Sequence, residues 1–247
     1  NLITLENIYG HGGFRTTVTS LDLSNKPSLK IVELNQNNLT NLNLSANNSI
    51  EILNLSGNDL TDFNKTLFTN LNKLDLSWNK LSSLDVSEMT TLTELNCDNA
   101  STSFSTNFTS LNVEGCTNLF KLICSNNVLT TLNLNDLTNL NYLKCSSNND
   151  IFTNTGLQTI SLKNCVNLKN VIVDGNPYLT QLDLSCSNNY NEIRVQQCTN
   201  LQRINLKNGA NESSMYSGLF SYYSCPNLTL VGVDFNETFT FLPTALI

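Results

Sequence analysis

The sequence is poor in positive charge and in the residues that drive chemistry. It holds one histidine, His11, and one tryptophan, Trp78, and its 13 lysines and arginines are outnumbered by 20 aspartates and glutamates, for a formal net charge of −7. A nucleic-acid-binding protein needs a basic stripe that neutralises phosphates. The composition therefore predicts that nucleic acid is not a partner.

Long apolar runs are also missing. A helix that spans a membrane needs about 18 or more consecutive apolar residues. The longest candidate, residues 239–247, is too short and contains Pro243. The sequence therefore predicts no membrane span.

The residue combinations of enzymes and metal sites are absent. A single histidine, in the glycine-rich segment 10–13, leaves no Ser-His-Asp or Cys-His arrangement. That segment matches neither a GxGxxG motif nor a P-loop. The eight cysteines include no CxxC pair and have no histidine partners. We predict that the chain is not an enzyme and uses no cofactor or metal.

Carboxylates recur at the outward position between two leucines, and a stack of them could hold Ca²⁺. They are Asp22, Asp75, Asp85 and Asp183. Asparagine replaces aspartate at this position in other repeats and dilutes the charge. We therefore favour a solvated polar face over a calcium site.

Leucine and asparagine are abundant, with 42 and 43 copies. Leucine and other apolar residues form two interleaved series of apolar-x-apolar segments, with a basic period of 21 residues. The first series is Leu21, Leu42, Phe63, Leu84, Leu111, Leu132, Ile160 and Leu182. The second is Val32, Leu53, Leu74, Leu95, Leu122, Leu143, Val171 and Ile193.

The period and the spacing together predict a solenoid. Alternating apolar residues over three positions, bounded by Asn, Ser and Gly, are typical of very short strands, and no window shows the 3.6-residue stripe of a long helix. A coil of about 20 residues buries its leucines only by stacking on its neighbours. The period stretches before Leu111 and before Ile160, which predicts two loops that leave an intact coil.

Segments 53–60 and 74–81 fit the pattern LxLxxNxL. From about Val18 to Leu206 the chain resembles the leucine-rich repeat family. The resemblance implies that the second series forms a parallel concave β-sheet, and that the asparagine five residues after each strand leucine turns inward to bond backbone groups. Short extended segments with little helix are expected on the opposite side.

The chain divides into three parts by this pattern. Residues 1–17 lack the repeat and are interpreted as an N-terminal cap or cut edge, and residues 18–206 as the leucine-rich repeats. Residues 207–247 are interpreted as an irregular insertion, a last coil and a C-terminal cap. The phase of the coils after Leu182 stays open.

The eight cysteines are predicted to be buried thiols. Cys97, Cys124 and Cys145 occupy the second apolar position of the concave strand, and Cys116 and Cys165 share an inward turn position. Free cysteine is among the most buried side chains, and thiols on adjacent parallel strands have poor disulfide geometry. A bridge between Cys198 and Cys225 is left open.

A column of cysteines that replaces leucine in a 21-residue repeat resembles the internalin J type of bacterial surface protein. The resemblance covers the repeats alone. It implies an exported protein, located extracellularly or at a bacterial cell surface, with a role in adhesion.

The function expected is non-catalytic binding through the concave face. Tyrosine, tryptophan and arginine are enriched in interface hot spots, and the candidate partner-binding residues are Trp78, Lys121, Ile123, Tyr142, Lys144 and Arg194. The partner expected is a protein, such as a host or cell-surface protein. One alternative is a spacer that displays an attached domain, and a second is glycan binding, for which the face has few aromatic platforms. The sequence leaves the oligomeric state open.

Overall fold

A computed structural model describes residues 4–5, 18–99, 108–150, 153–209 and 220–232. His11, most of the loop expected before Leu111, most of the insertion expected after residue 206, and the C-terminal segment from residue 233 lie outside the described residues.

Ten parallel strands form one continuous sheet, called here the main sheet. Each coil contributes one strand of two or three residues. In spatial order the strands are Thr4–Leu5, Ile31–Glu33, Ile52–Asn54, Lys73–Asp75, Glu94–Asn96, Lys121–Ile123, Tyr142–Lys144, Asn170–Ile172, Glu192–Arg194 and Phe220–Ser221.

The register of the main sheet follows the second series of the sequence. Leu53 pairs with Val32 on one side and with Leu74 on the other, and the same column continues to Ile193 and Phe220. We number positions in each coil from this middle residue, which is position 0. The predicted solenoid with a parallel sheet is confirmed.

The strands on the opposite side of the coils form four short parallel sheets. Three are pairs and the last has three strands. They are Ser20–Asp22 with Asn41–Asn43, Ser83–Asp85 with Ser110–Asn112, Thr131–Asn133 with Thr159–Ser161, and Gln181–Asp183 with Arg203–Asn205 and Leu230–Gly232.

One coil departs from the strand expected on the opposite side. The segment around Phe63 forms no strand, and a single 3₁₀ turn, Lys65–Leu67, follows it. Asn64 begins this turn because its side chain accepts a hydrogen bond from the Thr66 N–H at 3.1 Å. The stacked rings of Phe63 and Phe68, 5.3 Å apart, fill the space. This turn is the one helical element of the described ranges, as the expectation of little helix requires.

The same turn follows the strand on both sides of the coil. The Asx side chain at position +1 accepts the N–H of position +3, as between Asn54 and Ser56 at 3.1 Å and between Asp85 and Ser87 at 2.8 Å. Position +4 then adopts a left-handed conformation, with φ of +69° at Gly57. The Leu-Asx-Leu-Ser sequence therefore favours both the strand and the turn that follows it.

Asparagines at position +5 of the main sheet connect neighbouring coils. The Asn58 side chain donates to the carbonyls of Leu34, in the preceding coil, and of Leu55, in its own coil, at 2.8 and 2.9 Å. Its oxygen accepts the N–H of Leu39 at 3.0 Å. A buried amide thus satisfies backbone groups that a tight turn would leave bare. The members of this ladder are all buried: Asn37, Asn58, Asn79, Asn127, Asn148 and Asn176.

A single apolar core runs through the stack of coils. Positions 0 and +2 of the main sheet both point into it, so that Leu74 and Leu76 are each 2% exposed. The opposite side supplies the same positions, with Leu132 and Leu134 buried. Burial of both leucines of each strand is the dominant stabilising term of such a stack.

The phase of the last coils is fixed by strand pairing. Cys198 follows the main-sheet strand Glu192–Arg194, and Ile204 pairs with Leu182 on the opposite side. The loop expected before Ile160 contains a short antiparallel pair, Asn149–Asp150 with Thr155–Gly156. The boundaries drawn after residues 17 and 206 stay predictions, and main-sheet strands lie on both sides of them.

Candidate functional site

The outward face of the main sheet consists of two rows of side chains. Position 0 points into the core, so that positions −1 and +1 point away from it. From Ile31 the row at −1 reads Ile31, Ile52, Lys73, Glu94, Lys121, Tyr142, Asn170 and Glu192. The row at +1 reads Glu33, Asn54, Asp75, Asn96, Ile123, Lys144, Ile172 and Arg194.

In the first half of the face, the charges of Lys73, Asp75 and Glu94 have partners within the sheet. Lys73 Nζ lies 2.6 Å from Glu94 Oε1, and Asn96 donates to the Asp75 carboxylate at 3.0 Å. Asp75 also accepts from the Ser77 hydroxyl at 2.6 Å. The strands from Ile52 to Lys121 line a shallow depression of about 220 Å³ above these groups. Lys73, Glu94 and Asp75 therefore already have partners.

The centre of the face is different. Lys121 and Lys144 form no ion pair with any residue of the described ranges, and the Lys121 ammonium instead lies 5.7 Å from the centroid of the Tyr142 ring. Ile123 is opposite Lys144 in the register. All four side chains are partly exposed. Partial burial is the main cause that raises the pKa of Tyr142, and the negative charge of Glu192 raises it further. The Tyr142 hydroxyl therefore stays protonated at neutral pH.

Arg194 lies two strands beyond Lys144 and is engaged within the protein. Its guanidinium pairs with the Asp174 carboxylate, and Glu192 lies 4.0 Å away. Asp174 also accepts the N–H of Gln196 at 2.9 Å. Of the candidate cations on the face, Arg194 is therefore the one whose charge is already compensated.

Trp78 lies at the edge of the sheet. It occupies the left-handed position +4, with φ of +57°, and the residue is 51% exposed. The backbone N–H of Trp78 donates to the Asp98 carbonyl of the next coil at 2.9 Å. The structure thus separates Trp78 from the cluster formed by Lys121, Tyr142 and Lys144.

Sequence reasoning missed two features of the face. Phe120, which directly precedes Lys121, is 51% exposed. The spacing of leucines in the repeats did not indicate this exposed aromatic residue. Ile172, which alternation placed outward, is only 5% exposed, although it lies between Lys144 and Arg194 in the register. The alternation gives the direction of a side chain, whereas its exposure depends on the length of its neighbours.

The eight cysteines are free thiols, and seven of them are buried. Cys97, Cys124 and Cys145 stack at position +2, as predicted. Burial raises the pKa of each of these three thiols well above its usual value. A protonated thiol is a poor nucleophile and a poor metal ligand, so this column packs the core.

Four other cysteines occupy position +5, where the main sheet usually has asparagine. Cys116 Sγ donates to the Val86 carbonyl of the preceding coil at 3.0 Å, and Cys225 Sγ does so to Val195 at 2.7 Å. These carbonyls are the equivalents of those that the asparagines bond. Burial raises the pKa of Cys116 to about 11. The set is Cys116, Cys165, Cys198 and Cys225.

The carboxylate column considered as a calcium site serves the turns instead. Asp22 accepts the N–H of Ser24 at 2.9 Å, and Asp183 accepts that of Ser185 at 3.0 Å. Over the part of the chain that the structure describes, no cluster of three or more His, Cys, Asp or Glu side chains is placed to hold a metal ion. Nor is any described helix long and apolar enough to cross a bilayer.

The structure is similar to solved leucine-rich repeat structures. It matches the functional domain of InlJ from Listeria monocytogenes, which includes a cysteine ladder, with a TM-score of 0.59 and 25% identity over 86% of this chain. The chain covers 48% of that structure, about half of its length. A leucine-rich repeat protein of Leptospira interrogans matches at 18% identity over 87% of this chain and 74% of its own, with a TM-score of 0.43.

An internalin, InlF, of Listeria monocytogenes matches at 16% identity over 90% of this chain and 88% of its own, with a TM-score of 0.39. No protein-family model and no curated protein sequence matches the chain. The chain is a leucine-rich repeat protein with 21-residue repeats and a cysteine column, and it resembles the internalin J type of bacterial surface protein.

Proposed function

We propose that the chain is a non-catalytic module that binds a protein partner on the outward face of its main sheet. The observation that carries the proposal is the group of Lys121, Ile123, Tyr142 and Lys144. These side chains are partly exposed on adjacent strands, and neither lysine is neutralised by a described carboxylate. The module would act in adhesion, extracellularly or at a bacterial cell surface.

The scaffold beneath this group supports binding because its side chains are completely packed into the core. Leu122, Leu143, Cys124 and Cys145 are fully buried below the two strands. A face that is ordered before it meets its partner loses less conformational entropy on association. The group therefore has the preorganisation that a binding surface needs.

The residue types also favour a protein partner. Tyrosine combines a large apolar ring with a polar tip and is enriched in hot spots. Trp78 and Arg194 lie on either side of the centre, and we assign them supporting roles because one sits in a turn and the other is ion-paired. The likeness to InlJ supports the assignment to a bacterial surface.

Binding of the fluorescently labelled chain to intact cultured mammalian cells tests the proposal. We expect saturable binding that is lost when the cells are first treated with protease. The double variant Tyr142→Ala/Lys144→Glu should abolish it while the melting temperature falls by no more than a few degrees, since loss of surface contacts affects binding more than stability.

The matched control is Thr159→Ala/Lys163→Glu, which makes the same kinds of change at two exposed positions on the opposite side. This control should bind like the parent. Equal loss in both double variants would refute the main-sheet face. Absence of saturable binding would favour a spacer, and loss on glycosidase but not protease treatment would favour a glycan ligand.

A further inference from the structure

We infer that the partner presents an acidic segment that contains aliphatic side chains, and that this segment rests on the central patch of the main sheet. The central patch is defined as Lys121, Ile123, Tyr142 and Lys144, which are all partly exposed. The inference rests on the proposed function, because it assigns the chemistry of a partner for the same face.

The first support is the pattern of charge pairing. Glu94 lies between Lys73 and Lys121 in the register, and its carboxylate is bonded to Lys73 at 2.6 Å. Lys121 is left with the ring of Tyr142. Lys144 has isoleucines on both sides in its row, Ile123 and Ile172, so no carboxylate is adjacent to it in the register.

The second support is the position of these two lysines in an acidic chain. The formal net charge is −7, and four of the ten lysines pair with carboxylates of neighbouring coils, as Lys30 does with Glu51 at 2.5 Å and Lys65 with Asp85 at 2.9 Å. Among the lysines that form no ion pair within the described ranges, Lys121 and Lys144 are the two that lie in the outward rows of the main sheet, and they are on adjacent strands. Their mutual repulsion is relieved when an anion approaches.

Geometry limits the size of that anion. Lys121 and Lys144 are diagonal neighbours, one strand apart and two residues along, so their Cβ atoms are separated by about 8 Å. Flexible lysine side chains can converge from this distance on one carboxylate or on two successive ones. The patch therefore fits a short acidic segment better than an extended polyanion, for which it could neutralise only a couple of charges.

The apolar surface beside Lys144 decides between classes of anion. Ile123 is partly exposed next to Lys144 in its row, whereas Ile172 on the other side is already buried. Burial of the Ile123 side chain by a partner contributes about 25 cal/mol for each Å² of aliphatic surface removed from water. A protein segment supplies aliphatic side chains beside its carboxylates. Acidic glycans and nucleic acids do not, and they would require aromatic platforms or several more cations.

Selection from a displayed library of random twelve-residue peptides tests the inference with the chain as it exists. Enriched peptides should combine Asp or Glu with Leu, Ile or Val. Synthetic copies should bind the Lys121→Glu/Lys144→Glu variant at least about tenfold more weakly than the parent. Copies in which Glu is replaced by Lys should lose binding to the parent and regain it with this variant.

The control variant is Lys26→Glu/Lys163→Glu, which makes the same charge change at two exposed lysines on the opposite side. It should bind the peptides within about twofold of the parent. Failure to enrich acidic peptides, or equal weakening by both variants, overturns the inference. Peptides that lose binding in Tyr142→Ala but keep it in the charge-reversal variant overturn the inference and leave the proposed function standing. Peptides that bind regardless of every patch substitution overturn both.

Discussion

The two sides of each coil use the same strand and the same turn but differ in how completely neighbouring strands pair. On one side ten strands form a continuous sheet, whereas on the other they break into sheets of two or three. Position 0 is only partly buried in several coils of the opposite side, but its burial does not explain the breaks. The strands of Leu21 and Leu42 pair although both leucines are partly exposed, whereas those of Ile160 and Leu182 do not pair although both residues are buried. Position +5 differs between them.

The residue at position +5 accounts for most of the breaks. Opposite-side strands pair where this residue donates to the carbonyl at +2 of the preceding coil, as Asn47 does to Leu23 at 2.7 Å and Cys165 does to Leu134 at 3.1 Å. Where the residue cannot donate, pairing is interrupted. Those residues are Phe68, Met89 and Leu137.

The exceptions point to the same cause. Ser187 could donate, but its buried hydroxyl has no partner among the described residues, and pairing is lost there as well. The next pair holds although position +5 is Gly209, since Asn208 donates to the Ser187 carbonyl at 2.7 Å instead. A hydrogen bond donated by a side chain of one turn to the turn of the preceding coil keeps the strands paired. A thiol at position +5 supplies this bond and also fills the core.

The core common to both sides gives the largest expected effect. Leu76→Asp should unfold the chain, because a carboxylate without a partner is costly in an apolar interior. Ser82→Asp, at an exposed position of the same coil, should melt close to the parent. Thermal unfolding followed by circular dichroism measures both, and a Leu76→Asp variant that melts within a few degrees of the parent would refute a core shared by the two sides.

The cysteines at both kinds of position should be protected in the folded chain. Quantitative alkylation should find eight thiols after denaturation without a reductant. In the folded chain Cys186, the one thiol that is partly exposed, should react first, and its Sγ lies 3.5 Å from the Tyr190 hydroxyl. Mass spectrometry of peptides identifies the labelled sites. Recovery of four disulfides, or early labelling of Cys124, would contradict the assignment.

The asparagine ladder of the main sheet gives the next effect. Asn58→Ala should lower the free energy of unfolding by about 1–3 kcal/mol, because it leaves the buried N–H of Leu39 without an acceptor and removes one of the two amide donors from each of the Leu34 and Leu55 carbonyls. Asn54→Ala should cost less, about 0.5–1 kcal/mol, since it removes only the partly exposed bonds from the N–H and the hydroxyl of Ser56, both of which water can replace. Urea titration compares the two, and equal losses would mean that the sheet is one residue out of register.

The architecture could be predicted from the sequence because the repeat period sets the length of each coil and the spacing of its strands. The column from Val32 to Ile193 was predicted from spacing alone and is the register of the main sheet. The inward Asn58 and the stacked Cys124 and Cys145 were predicted from position in the repeat. Each of these features depends only on one coil and its neighbours, and in a repeat the equivalent positions of neighbouring coils can be identified from the sequence.

Other features depend on contacts that spacing does not encode. The loss of a strand at Phe63 follows from the stacking of the Phe63 and Phe68 rings. Which lysine of the face is left without an ion pair depends on which one bonds Glu94, and that lysine is Lys73. The residues proposed for binding are therefore only partly predictable. Lys121, Tyr142 and Lys144 could be placed on the face, but their lack of ionic partners required side-chain geometry.

The smallest expected effect tests the role given to the thiols. Cys165→Val removes the bond from Sγ to the Leu134 carbonyl while preserving an apolar side chain, and it should lower the free energy of unfolding by about 0.5–1.5 kcal/mol. Cys145→Val is the matched change at position +2, where Val173 stands in the next coil. Its cost should be smaller, below about 0.5 kcal/mol, since it removes no bond between turns.

Hydrogen exchange locates this effect on one side of the coil. The N–H of Leu134 donates to the Ser161 carbonyl at 2.9 Å, and its exchange should accelerate in Cys165→Val, because local opening becomes easier when the turn is released. In Cys145→Val it should stay at the parent rate. If both variants exchange alike at Leu134, the thiol at position +5 acts only as a small apolar residue, and the breaks in the opposite-side strands need another cause.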